Sequence, residues 1–166
     1  MENIKSLPPT IIFIFGGSGD LTNRKLIPAL YNLYLDNYLP EKFVVVGVGR
    51  TAFASDEEYR NKLLEGVQQF SRRKGEANGD WKKFSERVSY HELDLLNTET
   101  YDSISTWVND KAKEWNALPN VIFYLAVAPQ MAPDIACPAV GSSRSAPRAA
   151  TVCGQKDRLL RSPDQW

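Results

Sequence analysis

The chain has 166 residues, with 20 basic and 20 acidic side chains and a formal net charge of zero. That length predicts a single domain, and the neutral balance excludes the basic excess of a nucleic-acid or anionic-membrane binder. The longest apolar run, Val121–Ala128, is far short of the roughly 20 residues of a membrane helix. The N-terminus lacks the basic and apolar regions of a secretory signal, so a cytoplasmic protein is expected.

Thr10–Phe15 is a continuous apolar run rich in β-branched and aromatic residues, and it stops at Gly16-Gly17. That is the pattern of a strand buried on both faces. Leu21–Asn37 follows with Leu26, Ile27, Leu30, Leu33 and Tyr34 at helical spacing. Pro28 sits inside this helix, where it removes a hydrogen bond and favours a kink. Phe43–Val48 is a second buried strand. Ser55-Asp-Glu-Glu58 is a capping box that opens a helix running to Phe70, with Tyr59, Leu63 and Val67 on one face.

Residues 72–80, with Gly75 and Gly79, read as a polar loop, followed by a short helical piece over 81–86. Val88–Leu93 is a third, weaker strand. Asn97 can cap a helix to Asn116 with Tyr101, Ile104, Trp107 and Val108 along one stripe. Pro119-Asn120 breaks the chain, and Val121–Ala126 is the fourth strand. Strands alternating with helices predict an α/β fold: a doubly wound parallel sheet of Rossmann type, strand order 3-2-1-4. Ligands are expected at the carboxyl ends of the strands, beside the switch between the first and fourth.

The stretch Gly16-Gly17-Ser18-Gly19-Asp20-Leu21-Thr22 lies there, directly after strand one. Glycines let the backbone turn tightly and approach a phosphate, and the helix N-terminus offers free N–H groups to an anion. Rival motifs fail. A P-loop needs Gly-Lys-Ser/Thr after four intervening residues, and a nucleophile elbow needs glycine where Asp20 stands. Strand two ends in Val48-Gly49-Arg50-Thr51. In NAD-binding versions an Asp or Glu there holds the ribose 2′-hydroxyl. An arginine instead favours a 2′-phosphate, hence NADP. The same residues are also compatible with a ligand-free structural turn and a solvated arginine.

These residues resemble the N-terminal part of the glucose-6-phosphate dehydrogenase family. The resemblance rests on Gly16-Gly-Ser-Gly-Asp-Leu-Thr22, Arg24-Lys-Leu26 and Pro28-Ala-Leu30, followed by Val46-Gly-Val-Gly-Arg50. Leu93-Asp94-Leu95 is similar to the family's third-strand end, and Asn120–Pro129 to its fourth-strand segment ending in Ala-x-x-Pro. The resemblance covers about residues 8–136. It implies oxidation of glucose 6-phosphate at C1 with hydride transfer to NADP. It also implies that Gly16, Gly17, Ser18, Gly19, Asp20 and Leu21 surround the pyrophosphate. Arg50 then meets the 2′-phosphate, and Asp94 and Leu95 lie beside the adenine. Asp20 is expected to shape the turn rather than to touch phosphate.

The family's Glu-Lys-Pro-Phe-Gly strand end, and its Arg-Ile-Asp-His-Tyr-Leu-Gly-Lys-Glu segment with the catalytic histidine, are not in this sequence. The single histidine, His91, is expected to be structural. No catalytic residue and no metal site is assigned, and the family's homo-oligomer contacts are expected to be mostly missing. The chain is expected to be inactive alone, with a non-catalytic NADP-binding module or a misfolded truncated fragment as the alternative readings.

Residues 131–166 read differently. All aromatic residues but Trp166 lie before residue 131, and Pro133, Pro138, Pro147 and Pro163 punctuate a small-residue stretch with no apolar period. Domain boundaries are therefore placed at 1–136 for an NADP-binding domain, truncated, and 137–166 for an unpatterned tail, disordered or frame-shifted. Cys137 and Cys153 match no zinc spacing and read as plain thiols.

Overall fold

The computed structural model describes residues 7–73, 77–94, 97, 99–128, 130 and 149–153. Five strands form one sheet: β1 (Thr10–Phe15), β2 (Phe43–Gly49), β3 (Val88–Glu92), β4 (Asn120–Leu125) and β5 (Ala149–Cys153). Their order is β3-β2-β1-β4-β5, and every pairing is parallel. The first four strands take the expected order, and the doubly wound α/β class follows from it.

The helices are α1 (Ile27–Leu35), α2 (Asp56–Phe70), α3 (Ala77–Ser85) and α4 (Glu99–Trp115). They cover both faces of the sheet. On one face Ile11, Phe13, Phe15, Val44, Val46, Val48, Val121 and Phe123 pack against Tyr101, Ile104 and Val108 of α4. Phe13 stacks on Phe123 at 5.6 Å and meets the edge of Trp107 at 5.8 Å. On the other face Ile14, Phe43, Val45 and Val88 pack against Ile27, Tyr31, Tyr59, Leu63, Val67, Trp81 and Phe84. Two covered faces explain why the central strands are apolar without alternation.

Three expectations are corrected. Helix α3 begins at Ala77, inside the stretch read as a loop. The two glycines lowered the helical signal there, yet the buried Trp81 and Phe84 anchor the segment against Tyr31. The tail is not without pattern throughout, because β5 pairs with β4 from Val121↔Ala149 to Leu125↔Cys153. Its sequence, Ala-Ala-Thr-Val-Cys, is short, uncharged and of small residues. Pairing to β4 supplies the backbone partners that its own side chains do not advertise. The third correction concerns Pro28. The chain enters α1 through a π-helical turn, Thr22–Leu26, in which the Ile27 N–H bonds to the Thr22 carbonyl. The proline ring crowds the carbonyl four residues back, and the wider turn accommodates it without ending the helix.

That wide turn lies close to α2. A Cβ on Gly66 of α2 would collide with the Asn23 carbonyl, so the two helices approach at the one position without a side chain.

Candidate functional site: the glycine turn and the end of β2

The glycine turn leaves β1 and opens the first helix. Gly16 has φ +86°, and a Cβ there would strike the Ala126 carbonyl oxygen at the end of β4. Only glycine meets both conditions. A Cβ on Gly17 would come within 2.5 Å of Gly47 Cα in β2. The turn is therefore pressed between the two strands that flank β1.

Hydrogen bonds then decide what the turn can offer. Gly16 N–H and Gly17 N–H donate to the Val48 carbonyl at 2.8 and 3.0 Å, and Gly19 N–H donates to the Gly16 carbonyl at 2.9 Å. Among the described residues, the N–H groups of Ser18, Asp20 and Leu21 have no backbone carbonyl partner. These three donors at a helix start fit an anion such as a pyrophosphate. Thr22 Oγ1 donates to the Gly16 carbonyl at 2.9 Å, and the Asn23 side-chain amide donates to the Gly19 carbonyl at 3.1 Å. Both hold the turn from its helical side.

The Asp20 carboxylate is exposed and pairs with Arg24 at 3.4 Å, one helical turn later. The acid is thereby matched locally, and what the turn presents at this position is the backbone N–H.

Arg50 and Thr51 follow β2 at the same end of the sheet. Thr51 Oγ1 and Ser18 Oγ share a hydrogen bond of 2.7 Å, which ties the glycine turn to the end of β2. Arg50 is exposed and has no hydrogen-bond or ion-pair partner among the described residues. The next acid in sequence, Asp56, is already engaged. One oxygen accepts the Tyr90 N–H at 2.9 Å, and the other lies 3.8 Å from Arg60. Asp56 is thus committed to Tyr90 and Arg60, whereas in NAD-binding sites a carboxylate after the second strand receives the ribose 2′-hydroxyl.

Asp94 lies just beyond β3, exposed, next to the Leu93 N–H that donates to the Gly49 carbonyl at 2.8 Å. This places Asp94 beside the end of β2. Burial, with the charge of Asp94 adding to it, pushes the Tyr101 phenol up to about 12. Leu95 lies outside the described residues.

Sequence reasoning missed three contributors. Tyr59 is fully buried and donates its hydroxyl to the Gly17 carbonyl at 2.9 Å. Burial, then the neighbouring Tyr90 and Asp56, push its phenol far above the ordinary range, so it stays a donor. Lys62 donates from Nζ to the Ser18 carbonyl at 3.2 Å. Tyr90 is the third. Its hydroxyl oxygen is buried with no hydrogen-bond partner and lies next to Gly49. Burial raises this phenol, and the nearby Ser18 and Thr51 moderate the rise. None of the three bears a local motif, because the Tyr59 and Lys62 contacts span 42 and 44 positions and Tyr90 meets Gly49 from a neighbouring strand.

His91 lies on β3 with its ring edge-on to Trp107 at 5.6 Å. Burial holds its imidazole below the usual value. Among the described residues no group of metal-binding side chains occurs, and no helix is long and apolar enough to cross a membrane.

The family model described as "Glucose-6-phosphate dehydrogenase, NAD binding domain" matches residues 13–148. The chain belongs to the glucose-6-phosphate dehydrogenase family, through its NAD-binding domain. The matched range passes residue 136, where the sequence alone ended the resemblance. Glucose-6-phosphate 1-dehydrogenase of Chlamydia pneumoniae is 37% identical over 130 residues, covering 78% of this chain and 25% of the relative. The same enzyme of Chlamydia muridarum is 35% identical over 136 residues, covering 78% of this chain and 27% of the relative. The chain thus spans about a quarter of the length of these relatives. A solved structure described as glucose-6-phosphate dehydrogenase in complex with its substrate glucose-6-phosphate superposes with a TM-score of 0.76. It is 26% identical, covering 88% of this chain and 30% of that one. A nicotinamide dinucleotide is accordingly the cofactor class of this family's domain.

Proposed function

We propose that this chain is the NADP-binding segment of a glucose-6-phosphate dehydrogenase, which oxidises glucose 6-phosphate at C1. NADP supplies the hydride acceptor when bound. The observation that supports the finer reading is the pairing of an unpartnered Arg50 with an Asp56 already consumed by Tyr90 and Arg60. A guanidinium with five donors fits a 2′-phosphate, and the first carboxylate after β2 is already engaged by Tyr90 and Arg60.

In this reading the N–H groups of Ser18, Asp20 and Leu21 hold the pyrophosphate, with Gly16, Gly17 and Gly19 leaving room for it. Ser18 Oγ and Thr51 Oγ1 face the adenosine ribose, Arg50 takes the 2′-phosphate, and Asp94 and Leu95 border the adenine. Glucose 6-phosphate and the group that removes its proton belong to segments of the family's sequence that this chain does not span. Within the chain no side chain is assigned to catalysis. A cytoplasmic location belongs to the same reading, and the family's homo-oligomer contacts fall mostly in segments that this chain does not span.

The test is a titration of the 166-residue chain with NADP and with NAD. NADP is expected to bind more tightly. Arg50→Ala is expected to weaken NADP by about 10- to 150-fold, the range for one charge-assisted contact, and to leave NAD nearly unchanged. Equal losses for both cofactors would remove Arg50 from the 2′-phosphate.

A further inference from the structure

We propose that Lys62 of α2 is the second cation of the 2′-phosphate subsite and sets the preference for NADP jointly with Arg50. This inference rests on the NADP reading above and deepens it. A phosphate monoester carries about −1.5 to −2 charges at neutral pH, so one guanidinium leaves part of that charge unmatched.

The described charges around the Ser18–Thr51 hydroxyl pair narrow the choice. Arg24 is paired with Asp20, and Arg60 donates to the Val88 carbonyl at 2.8 Å beside Asp56. Glu58 is tied to the Ala54 N–H at 2.6 Å in the cap of α2. Lys62 is different. Its ammonium has one carbonyl partner, Ser18 O at 3.2 Å, and rests over the Phe53 ring at 5.5 Å. An ammonium has three donors, so two are left for a ligand.

Its position is also held by the fold rather than by the lysine alone. Phe53 packs edge-on to Tyr59 at 5.2 Å and to Tyr90 at 4.7 Å, which fixes the ring beneath the ammonium. Ser18 meets Lys62 through its carbonyl and Thr51 through its hydroxyl, and Thr51 adjoins Arg50. Lys62 thus touches one member of the Ser18–Thr51 pair, and Arg50 adjoins the other in sequence. A lysine on a four-carbon stem can leave the Ser18 carbonyl and turn its charge onto a phosphate arriving there.

Binding of four probes to the full chain separates the possibilities: NADP, NAD, 2′,5′-ADP and 5′-AMP. Lys62→Met keeps the stem over Phe53 and removes the charge. It is expected to weaken NADP and 2′,5′-ADP about tenfold and to change NAD and 5′-AMP by less than about twofold, one charge-assisted contact being lost. Lys62→Arg is expected to restore most of the loss. A lysine that merely braced the Ser18 carbonyl would weaken all four probes alike, and that result overturns the proposal. So does an unchanged affinity for 2′,5′-ADP. If wild type prefers NADP and Arg50→Ala abolishes the preference while Lys62→Met does not alter it, only the role of Lys62 fails. If wild type binds NADP and NAD equally, or binds neither, the NADP reading fails and the role of Lys62 falls with it.

Discussion

The Tyr59 hydroxyl donates to the carbonyl of Gly17 at 2.9 Å, joining α2 to a turn 42 positions earlier in the chain. The bond is buried, and it fixes the Gly17–Ser18 peptide plane, whose other end is the Ser18 N–H. A side chain that never meets the ligand thus aims one of the donors offered to it. Tyr59→Phe is expected to destabilise the fold by about 1–2 kcal/mol, because the buried Gly17 carbonyl loses its partner. It is also expected to weaken NADP and NAD alike. Urea denaturation and dinucleotide titration check the two parts, and a selective loss for NADP would contradict this role.

Gly16 and Gly19 are expected to respond differently to alanine. Gly16→Ala places a side chain at φ +86° and against the Ala126 carbonyl. The backbone conformation alone costs about 1–3 kcal/mol, and the collision adds to it. At Gly19 the added Cβ would lie 3.1 Å from the Gly16 carbonyl oxygen, a tight contact without a positive φ. Gly19→Ala is expected to keep the fold, with a loss of less than about 1 kcal/mol, and to lose cofactor affinity because it fills the anion cradle. Thermal or urea unfolding beside a titration distinguishes the pair. Comparable destabilisation by both would show that Gly19 is demanded by the fold.

His91 predicts a pH dependence of stability. Its folded-state value is lowered by burial, while the unfolded chain retains the ordinary value near about 6.5. Below that value the unfolded state binds the extra proton, so stability falls as the pH falls through about 6.5 toward the depressed folded value. His91→Gln is expected to flatten this part of the profile. Urea midpoints at neutral pH and at about one unit below 6.5 compare the two proteins. Parallel profiles would show that His91 does not titrate differently on folding.

The 166-residue chain is expected to bind a dinucleotide without reducing it in the presence of glucose 6-phosphate. Its single histidine, His91 on β3, packs edge-on against Trp107 of α4. Formation of NADPH followed by absorbance checks this, and a rate well above the blank would locate a proton acceptor among these residues.

Much of the fold was legible because β1, β2 and β4 are nearly continuous apolar runs after the polar first residues Thr10 and Asn120, the mark of strands covered on both faces. The cap of α2 was legible for a local reason. Ser55 and Glu58 stand three apart, and the Glu58 N–H bonds Ser55 Oγ at 3.2 Å. β5 was not legible, since five small residues acquire strand character only from pairing with β4. At the site, Gly16 and Gly19 announced themselves by type and spacing. Lys62 and Tyr59 did not, because a helix surface lysine and a core tyrosine look alike in any sequence until the packing of α2 brings them to the turn.

That packing turns on Gly66. Tyr59, Lys62 and Gly66 lie along one side of α2, at helical intervals of three and four residues. A methyl group at Gly66 would push α2 away from Asn23, lifting the Tyr59 hydroxyl and the Lys62 ammonium off the turn together. The missing side chain therefore works as a gauge of separation, setting from a distance both the aim of the peptide donors and the reach of the charge.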